Sequence, residues 1–398
     1  MVLELVLFAG AGCFLGILTG MAPGLHVNTI ALIALSIPGL DSLPLMVLIA
    51  SMSVVHCFVD FIPSILLGAP DEDNFLAVLP GHAMLLQGKG LEAVRLTIAG
   101  GIFAGIAAII ASPVFLLLVE KGKDLITASI PFVLGAILAS MVLDEQGKKA
   151  MWALAVVALS GTLGFIALEG NLPLREPLFC LATGFFGASA LADSVMRKAG
   201  VKKQENSGFA VEKTVVAKNT GLAIAGACIV SLFPGVGSSQ AAFIARKAVG
   251  KISAKDYLVL LGGVNTATMI LSFFVLFSLG KARTGSAAAI AQLGAFGFPE
   301  LLAVAGACLL GMGFGAIATD LIAGKTMRLV QVIDYRKMNA AVLAFVTLLV
   351  FCFSGWLGLL FYGIAAAIGL VSVNTGIKRS NAMAFLMLPA ILRYTVLV

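Results

Sequence analysis

The 398-residue chain is 60% hydrophobic and only 12% charged, with a formal net charge of +6 and a mean hydropathy of +1.07. Soluble domains carry roughly 25% charged residues, so a water-soluble globular domain is excluded, and the alternating ten-residue segments of a transmembrane barrel are absent. Apolar runs close to the ~20 residues that cross a bilayer recur along the whole length, which predicts an all-α integral membrane protein, multi-pass in the cell membrane, with the lipid bilayer as its surroundings. The basic residues gather in short loops between these runs. That is the pattern of cytoplasmic loops and not of a nucleic-acid surface.

The first run, MVLELVLFAGAGCFLGILTG, has no basic leader and no small-residue cleavage site, so it reads as a retained membrane segment. Within it Gly12, Gly16 and Gly20 recur every fourth residue, the spacing of a face for close helix packing. GMAPGLHVNT (20–29) then breaks the helix at Pro23-Gly24 and follows the break with His26, Asn28 and Thr29. A run at about 44–67 contains His56 and Asp60, which at i, i+4 share one helix face. An ionisable group within a membrane segment is a functional candidate, and the pair is a candidate for coupling to H+ or Na+. A purely structural pair, or a helix end near water, is the alternative. Asp71, Glu72 and Asp73 after Pro70 read as a solvated loop or helix start, and His82 as a loop residue. Runs at about 124–143, 149–168 and 176–194 complete a first unit, 1–195.

A linker, 196–219, carries Arg197, Lys198, Lys202, Lys203, Lys213 and Lys218 against Glu205 and Glu212, and should be cytoplasmic. Beyond it the pattern repeats. SLFPGVGSSQ (231–240) has its Pro234-Gly235 displaced by 211 residues from Pro23-Gly24, and the same displacement carries the run at 44–67 onto DYLVLLGGVNTATMILSFFVLFSLG. The later runs recur in the same order. The chain is therefore predicted to be a duplication, with a second unit at 220–398. Each Pro-Gly is read as the tip of a re-entrant hairpin, around 21–40 and around 221–250, because GLAIAGACIVSLF looks too short to cross. With about ten crossings, an odd number per unit, the two repeats should be inverted. KARTG (281–285) opposes this, with two basic residues on the expected outer side.

Unwound backbone at membrane depth is tolerated only where it is buried in protein or lines a cavity. Its free N–H and C=O groups then make ion sites. The expected substrate-binding set is Pro23, Gly24, His26, Asn28 and Thr29 from the first tip and Pro234, Gly235, Gly237, Ser238, Ser239 and Gln240 from the second. Asn265 and Thr266 are expected to border the site. Thr268, on the Asn265 face, and Ser272 belong to the same polar cluster, for which threonines bonded to their own helix are the plainer reading. The six cysteines, Cys13, Cys57, Cys180, Cys228, Cys308 and Cys352, are scattered without a C-x-x-C pair and imply neither metal nor disulfide. Walker, H-E-x-x-H and G-x-S-x-G motifs are absent, so neither an ATP-driven pump nor an enzyme is expected, and no cofactor.

Through GILTGMAPGLHVNT, FIPSILLGAPDEDNFLAVLPGHAMLLQGKGLEAVRLT, SLFPGVGSSQ and GIKRSNAMAFLMLPAIL the chain resembles the large membrane subunit (TctA type) of tripartite tricarboxylate transporters. It looks closest to the archaeal DUF112 branch. The resemblance implies a permease for an organic anion such as a citrate-like carboxylate, driven by an ion gradient. It also implies as partners an extracytoplasmic binding protein and a small membrane subunit. A second copy of the chain is a further candidate partner. By the same resemblance Pro23, Gly24, Asn28, Thr29, Pro234, Gly235, Gly237, Ser238 and Ser239 take the substrate role. A lipid-linked phosphate carrier and a non-transporting membrane scaffold are the alternative functions.

Overall fold

The computed structural model describes residues 2–22, 27–35, 41–67, 78–196, 202, 204, 212–232, 253–332 and 334–396. The regular elements among these are all helical. They are α1 Val2–Met21, α2 Val27–Leu35, α3 Ser42–Val59, α4 Val78–Leu86, α5 Gly90–Leu143, α6 Lys148–Leu168, α7 Pro177–Met196, α8 Lys213–Leu232, α9 Ala254–Leu279, α10 Gly285–Gln292, α11 Phe298–Val332, α12 Tyr335–Thr375 and α13 Ala384–Val396. Among the described residues nine helices are long and apolar enough to cross a membrane, and Ala128–Leu143 is a shorter apolar stretch. The chain is an all-α, multi-pass membrane protein.

Two expected boundaries move. The limb before Pro234 extends back to Lys213, which makes α8 a 20-residue helix of crossing length, where GLAIAGACIVSLF alone looked too short. The last residues assigned to the linker, 213–219, are thus helical. Asn219 secures this extra turn by donating to Asp256 Oδ1 on α9 at 3.0 Å.

Helix directions follow from which residues touch. Gly12, Gly16 and Gly20 of α1 lie in turn against Leu48–Ser51, Met52–Val55 and Val59–Asp60, so α1 and α3 run parallel. The short helix α2, between them in the sequence, packs on α3 and α10. In the other half Asn219 meets Asp256 and Ala223 meets Gly263, so α8 and α9 are parallel in the same way. Gly311 and Gly315 of α11 meet Ser51–Val54 and Val55–Phe58, which makes α11 parallel to α3. Thr97, Gly101 and Gly105 of α5 meet Gly262, Thr266 and Ile270, which makes α5 parallel to α9. Across these pairs α5 and α11 are antiparallel, with Gly90 beside Met327, Arg95 beside Asp320 and Gly105 beside Met312. Hence α3 and α9, which correspond at the 211-residue displacement, run in opposite directions, and so do α5 and α11.

The long elements hold more than one crossing. In α12 the backbone leaves the helical region at Gly355, with φ 68° and ψ −164°. Thr347 Oγ1 on one limb and Tyr362 OH on the other are 3.0 Å apart. The first limb passes α7 from Ser194 (at Asn339) to Glu176 (at Ser354), and the second returns from Gly184 to Ser189. The two limbs form an antiparallel pair. A straight helix of α5's length would span about 81 Å, with Pro113 and Pro131 inside it. Its end nevertheless returns to the level of its beginning: Asp144 binds Lys378 at 3.1 Å, and the adjacent Arg379 acts electrostatically on His82 of α4.

Two helices are buried through their central spans, residues 44–65 (α3 with the wide turn after it) and 257–276 (in α9). Each packs against the preceding limb of its own half and the long helix of the other half. Side chains such as Phe132, Trp356, Leu125 and Ile110 project outward and supply the apolar belt that lipid requires. The starts of α5, α8 and α9 and the end of α11 share one end of the bundle, which is rich in Lys89, Arg95, Lys213, Lys218, Lys255, Lys325 and Arg328. The short helix α4 lies at this basic end, where Gln204 of the linker accepts from Gly90 N at 3.0 Å and donates to the Leu85 carbonyl at 2.9 Å. The short helix α10 lies at the other, where Thr284 caps it and meets Ser272 at 3.0 Å. Lys281 and Arg283 precede α10 at that end.

Candidate functional site

Where α3 and α9 cross, the sequence places its most polar buried groups. His56 and Asp60, one turn apart at the end of α3, are 5% and 2% exposed, and His56 Nε2 faces Asp60 Oδ2 at 4.0 Å. From α9, Asn265 donates through Nδ2 to the Cys57 carbonyl at 3.3 Å and to Asp60 Oδ2 at 3.5 Å. Both acceptors lack a hydrogen, and this fixes which end of the amide faces α3. From α1, Thr19 Oγ1 donates to the Gly16 carbonyl at 3.2 Å and lies 3.1 Å from His56 Nδ1. Thr19 thus ties the imidazole on α3 to the backbone of α1.

The backbone around Asp60 is held as firmly as its side chain. Its N–H continues the helix to the His56 carbonyl at 3.0 Å, and its own carbonyl accepts from Ser64 N at 3.3 Å and Ser64 Oγ at 2.8 Å. Gly20 allows α1 to lie against Val59 and Asp60 N, where a Cβ would fall 2.7 Å from Val59 Cβ. The helix α1 ends one residue later, at Met21, and Pro23-Gly24 comes next but one in the sequence.

The expected ion-coupling pair, His56 and Asp60, and the expected border residue Asn265 are thus brought together. Thr266 points elsewhere: its hydroxyl faces Gly101 of α5 and is buried without a hydrogen-bond partner, as is that of Thr268. Neither bonds back to its own helix as the plainer reading held; Ser272 does, to the Met269 carbonyl. Pro23, Gly24 and His26, the whole set Pro234, Gly235, Gly237, Ser238, Ser239 and Gln240, and Asp71, Glu72 and Asp73 lie outside the described residues. Asn28 and Thr29 fall in the first turn of α2. His82 belongs to a helix, α4, and not to a loop; it is half-buried, with Nδ1 donating to the Ile65 carbonyl at 3.2 Å. Burial lowers the His82 pKa, the Ile65 bond opposes this, and Arg379 adds to the lowering. Sequence reasoning missed Thr19, a hydroxyl inside a stripe of glycines.

Residues 6–384 match the family described as the tripartite tricarboxylate transporter TctA family. The chain belongs to that family. TctA proteins are transporter components and not enzymes. Among curated proteins, an uncharacterized protein of Methanocaldococcus jannaschii is 27% identical over 398 residues, covering 98% of each chain. No solved structure matches. The TctA match runs through both core helices and the whole Thr19–His56–Asp60–Asn265 cluster.

Proposed function

We propose that this TctA protein is the permease of a secondary active transporter for a small organic anion, a carboxylate, driven by an ion gradient. The observation that carries the reading is the polar cluster of Thr19, His56, Asp60 and Asn265, buried where the core helices α3 and α9 cross. Buried ionisable groups inside a membrane bundle are expensive and mark ion pathways. Anionic substrates suit the free N–H groups at broken helices. In this reading the two tips, with Asn28 and Thr29 on one side and Gly237, Ser238 and Ser239 on the other, hold the anion. His56 and Asp60 carry the coupling ion. The basic end and linker 196–219 face the cytoplasm of a cell membrane, and a binding protein and small membrane subunit dock from the other side. Alternating access moves one half against the other.

The test is the thermal stability of the purified protein against a panel of di- and tricarboxylates and lipid phosphates, since a ligand of the folded state raises stability with the logarithm of its concentration above Kd. A carboxylate shift that Asn28→Ala and Ser239→Ala both weaken supports the reading. A shift with lipid phosphates alone, or carboxylate affinity unchanged in both variants, removes it.

A further inference from the structure

We infer that Lys281 and Arg283 form a recruiting site for a small carboxylate at the end of the bundle opposite the basic one, distinct from the residues given the substrate role above. Binding there stands on the described residues alone; the word recruiting rests on the permease reading.

The two cations run against the charge pattern of the chain. Basic residues of a membrane protein gather on one side, and the starts of α5, α8 and α9 and the end of α11 follow that rule. The helix α9 ends on the other side, where Gly280 is followed by Lys281, Ala282 and Arg283 before Thr284 opens α10. Positive charge kept there calls for a local reason.

The loop that carries them is fastened at both ends. Gly280, in the left-handed region at φ 62°, closes α9 with its N–H on the Leu276 carbonyl. Thr284 accepts from Ala287 N at 3.2 Å and lies 3.0 Å from Ser272 Oγ of α9. Further along α10, Ser286 Oγ is 2.7 Å from Ser53 Oγ of α3, and Ser42 donates to the Leu293 carbonyl at 2.9 Å. Arg283 is therefore presented from a held position, next to the capped start of a helix.

Its guanidinium lacks an acceptor. Nε is buried without a hydrogen-bond partner, although the residue as a whole is only partly buried and Lys281 is exposed. Neither cation pairs with a carboxylate among the described residues. The acidic groups of that end are otherwise placed: Glu300 of α11 accepts from Gly297 N at 2.9 Å, and Asp41, ahead of α3, is exposed. The helices α2 and α10 carry no charged residue. A buried donor left unmade is costly, and Nε with one Nη forms the fork that matches a carboxylate. The first N–H groups of α10 add partial positive charge at the same place. Satisfying Nε requires the guanidinium to turn around one or two oxygens, which a small anion permits and an acidic protein surface does not. A carboxylate held here raises the local concentration of cargo at that end of the bundle.

The test treats the full-length protein in neutral micelles with phenylglyoxal and follows each arginine by mass spectrometry. Citrate is the probe, at an ionic strength held constant with chloride. The expected result is that Arg283 reacts, and that citrate slows its reaction while the exposed Arg175 reacts as before. Lys281→Gln should raise the protecting citrate concentration by roughly two- to five-fold, as the loss of one exposed ion pair does. An Arg283 that does not react without citrate, equal slowing at Arg175, or a protecting concentration unchanged in Lys281→Gln overturns the site. Protection by phosphatidylglycerol in the micelle but not by citrate assigns the cations to lipid headgroups and overturns it too. Exchange of labelled citrate in proteoliposomes keeps the two readings apart. Protection without exchange counts against the permease and leaves the site standing; exchange without protection removes the site and leaves the permease.

Discussion

Replacing Gly100 by alanine tests whether the two halves really meet backbone to backbone. A Cβ at Gly100 would press on the Val259 carbonyl oxygen and fall 2.8 Å from its carbon and 3.0 Å from Gly263 N. Unstrained carbon contacts lie at about 3.5–4.0 Å, and a backbone atom of a buried helix cannot rotate aside. Overpacking of this kind costs about 1–3 kcal/mol, and we expect the upper part of that range. The corresponding glycine of the second half, Gly311, is looser, its Cβ meeting the Ser51 carbonyl oxygen at 3.1 Å and Val54 Cβ at 3.3 Å; Gly311→Ala should lose about 1 kcal/mol. Gly313, on the outer face of the same helix, has nothing within 4 Å, so Gly313→Ala should gain roughly 0.5–1 kcal/mol from the lost flexibility of glycine. The full spread of about 3 kcal/mol is more than a hundredfold in an equilibrium constant, well within reach of a reversible unfolding titration in mixed micelles. Equal stability for Gly100→Ala and Gly313→Ala, or a reversed order, would refute the crossing.

Three smaller effects should accompany it. Arg95 and Asp320 bridge α5 and α11 through contacts of 2.6 and 3.4 Å, but both are partly exposed, so a double-mutant cycle should return a coupling of only about 0.2–1 kcal/mol that shrinks with salt. Ser253 and Asp256 cap α9 reciprocally, so Ser253→Ala should lower stability by about 1 kcal/mol, checked by the same titration against Ser253→Thr, which keeps the hydroxyl. The His82 pKa lies below its ordinary 6.5 in the folded protein, so on acidification the unfolded chain binds its proton first. Stability then falls as pH drops below 6.5. His82→Gln should flatten that part of a melting-temperature profile, and an unchanged slope would exclude the burial effect.

The all-α membrane class is legible in the sequence, because apolar runs of bilayer length are local features. The start of α8 was not. Lys213 and Lys218 look like linker, and the turn they occupy is held by the bond from Asn219 to Asp256, 37 residues further on. The helices α4 and α10, of nine and eight residues, are too short for periodicity to separate them from loop. At the site, His56 and Asp60 stand out as polar groups in oil and Asn265 nearly as clearly. That Asn265 reaches Asp60, 205 residues away, is a fact of helix crossing that no local pattern carries. Thr19 was hidden for a different reason. A hydroxyl in a membrane helix ordinarily bonds its own backbone, and Thr19 does so, so its second bond, to His56, leaves no mark in the sequence.

Because α11 wraps α3 and α5 wraps α9, neither half closes over its own central helix. Severed at the linker, each piece would expose to lipid a flank shaped for another backbone, with Gly100 on one piece and Gly311 on the other. A half-length chain could complete its interior only by meeting a second copy inserted upside down, and a population facing both ways across the membrane would be a condition of its folding. The linker removes that condition. By joining the two orientations in one polypeptide it fixes their ratio at one to one, and it frees each half to diverge, so that a histidine and an aspartate can sit in one and an asparagine in the other.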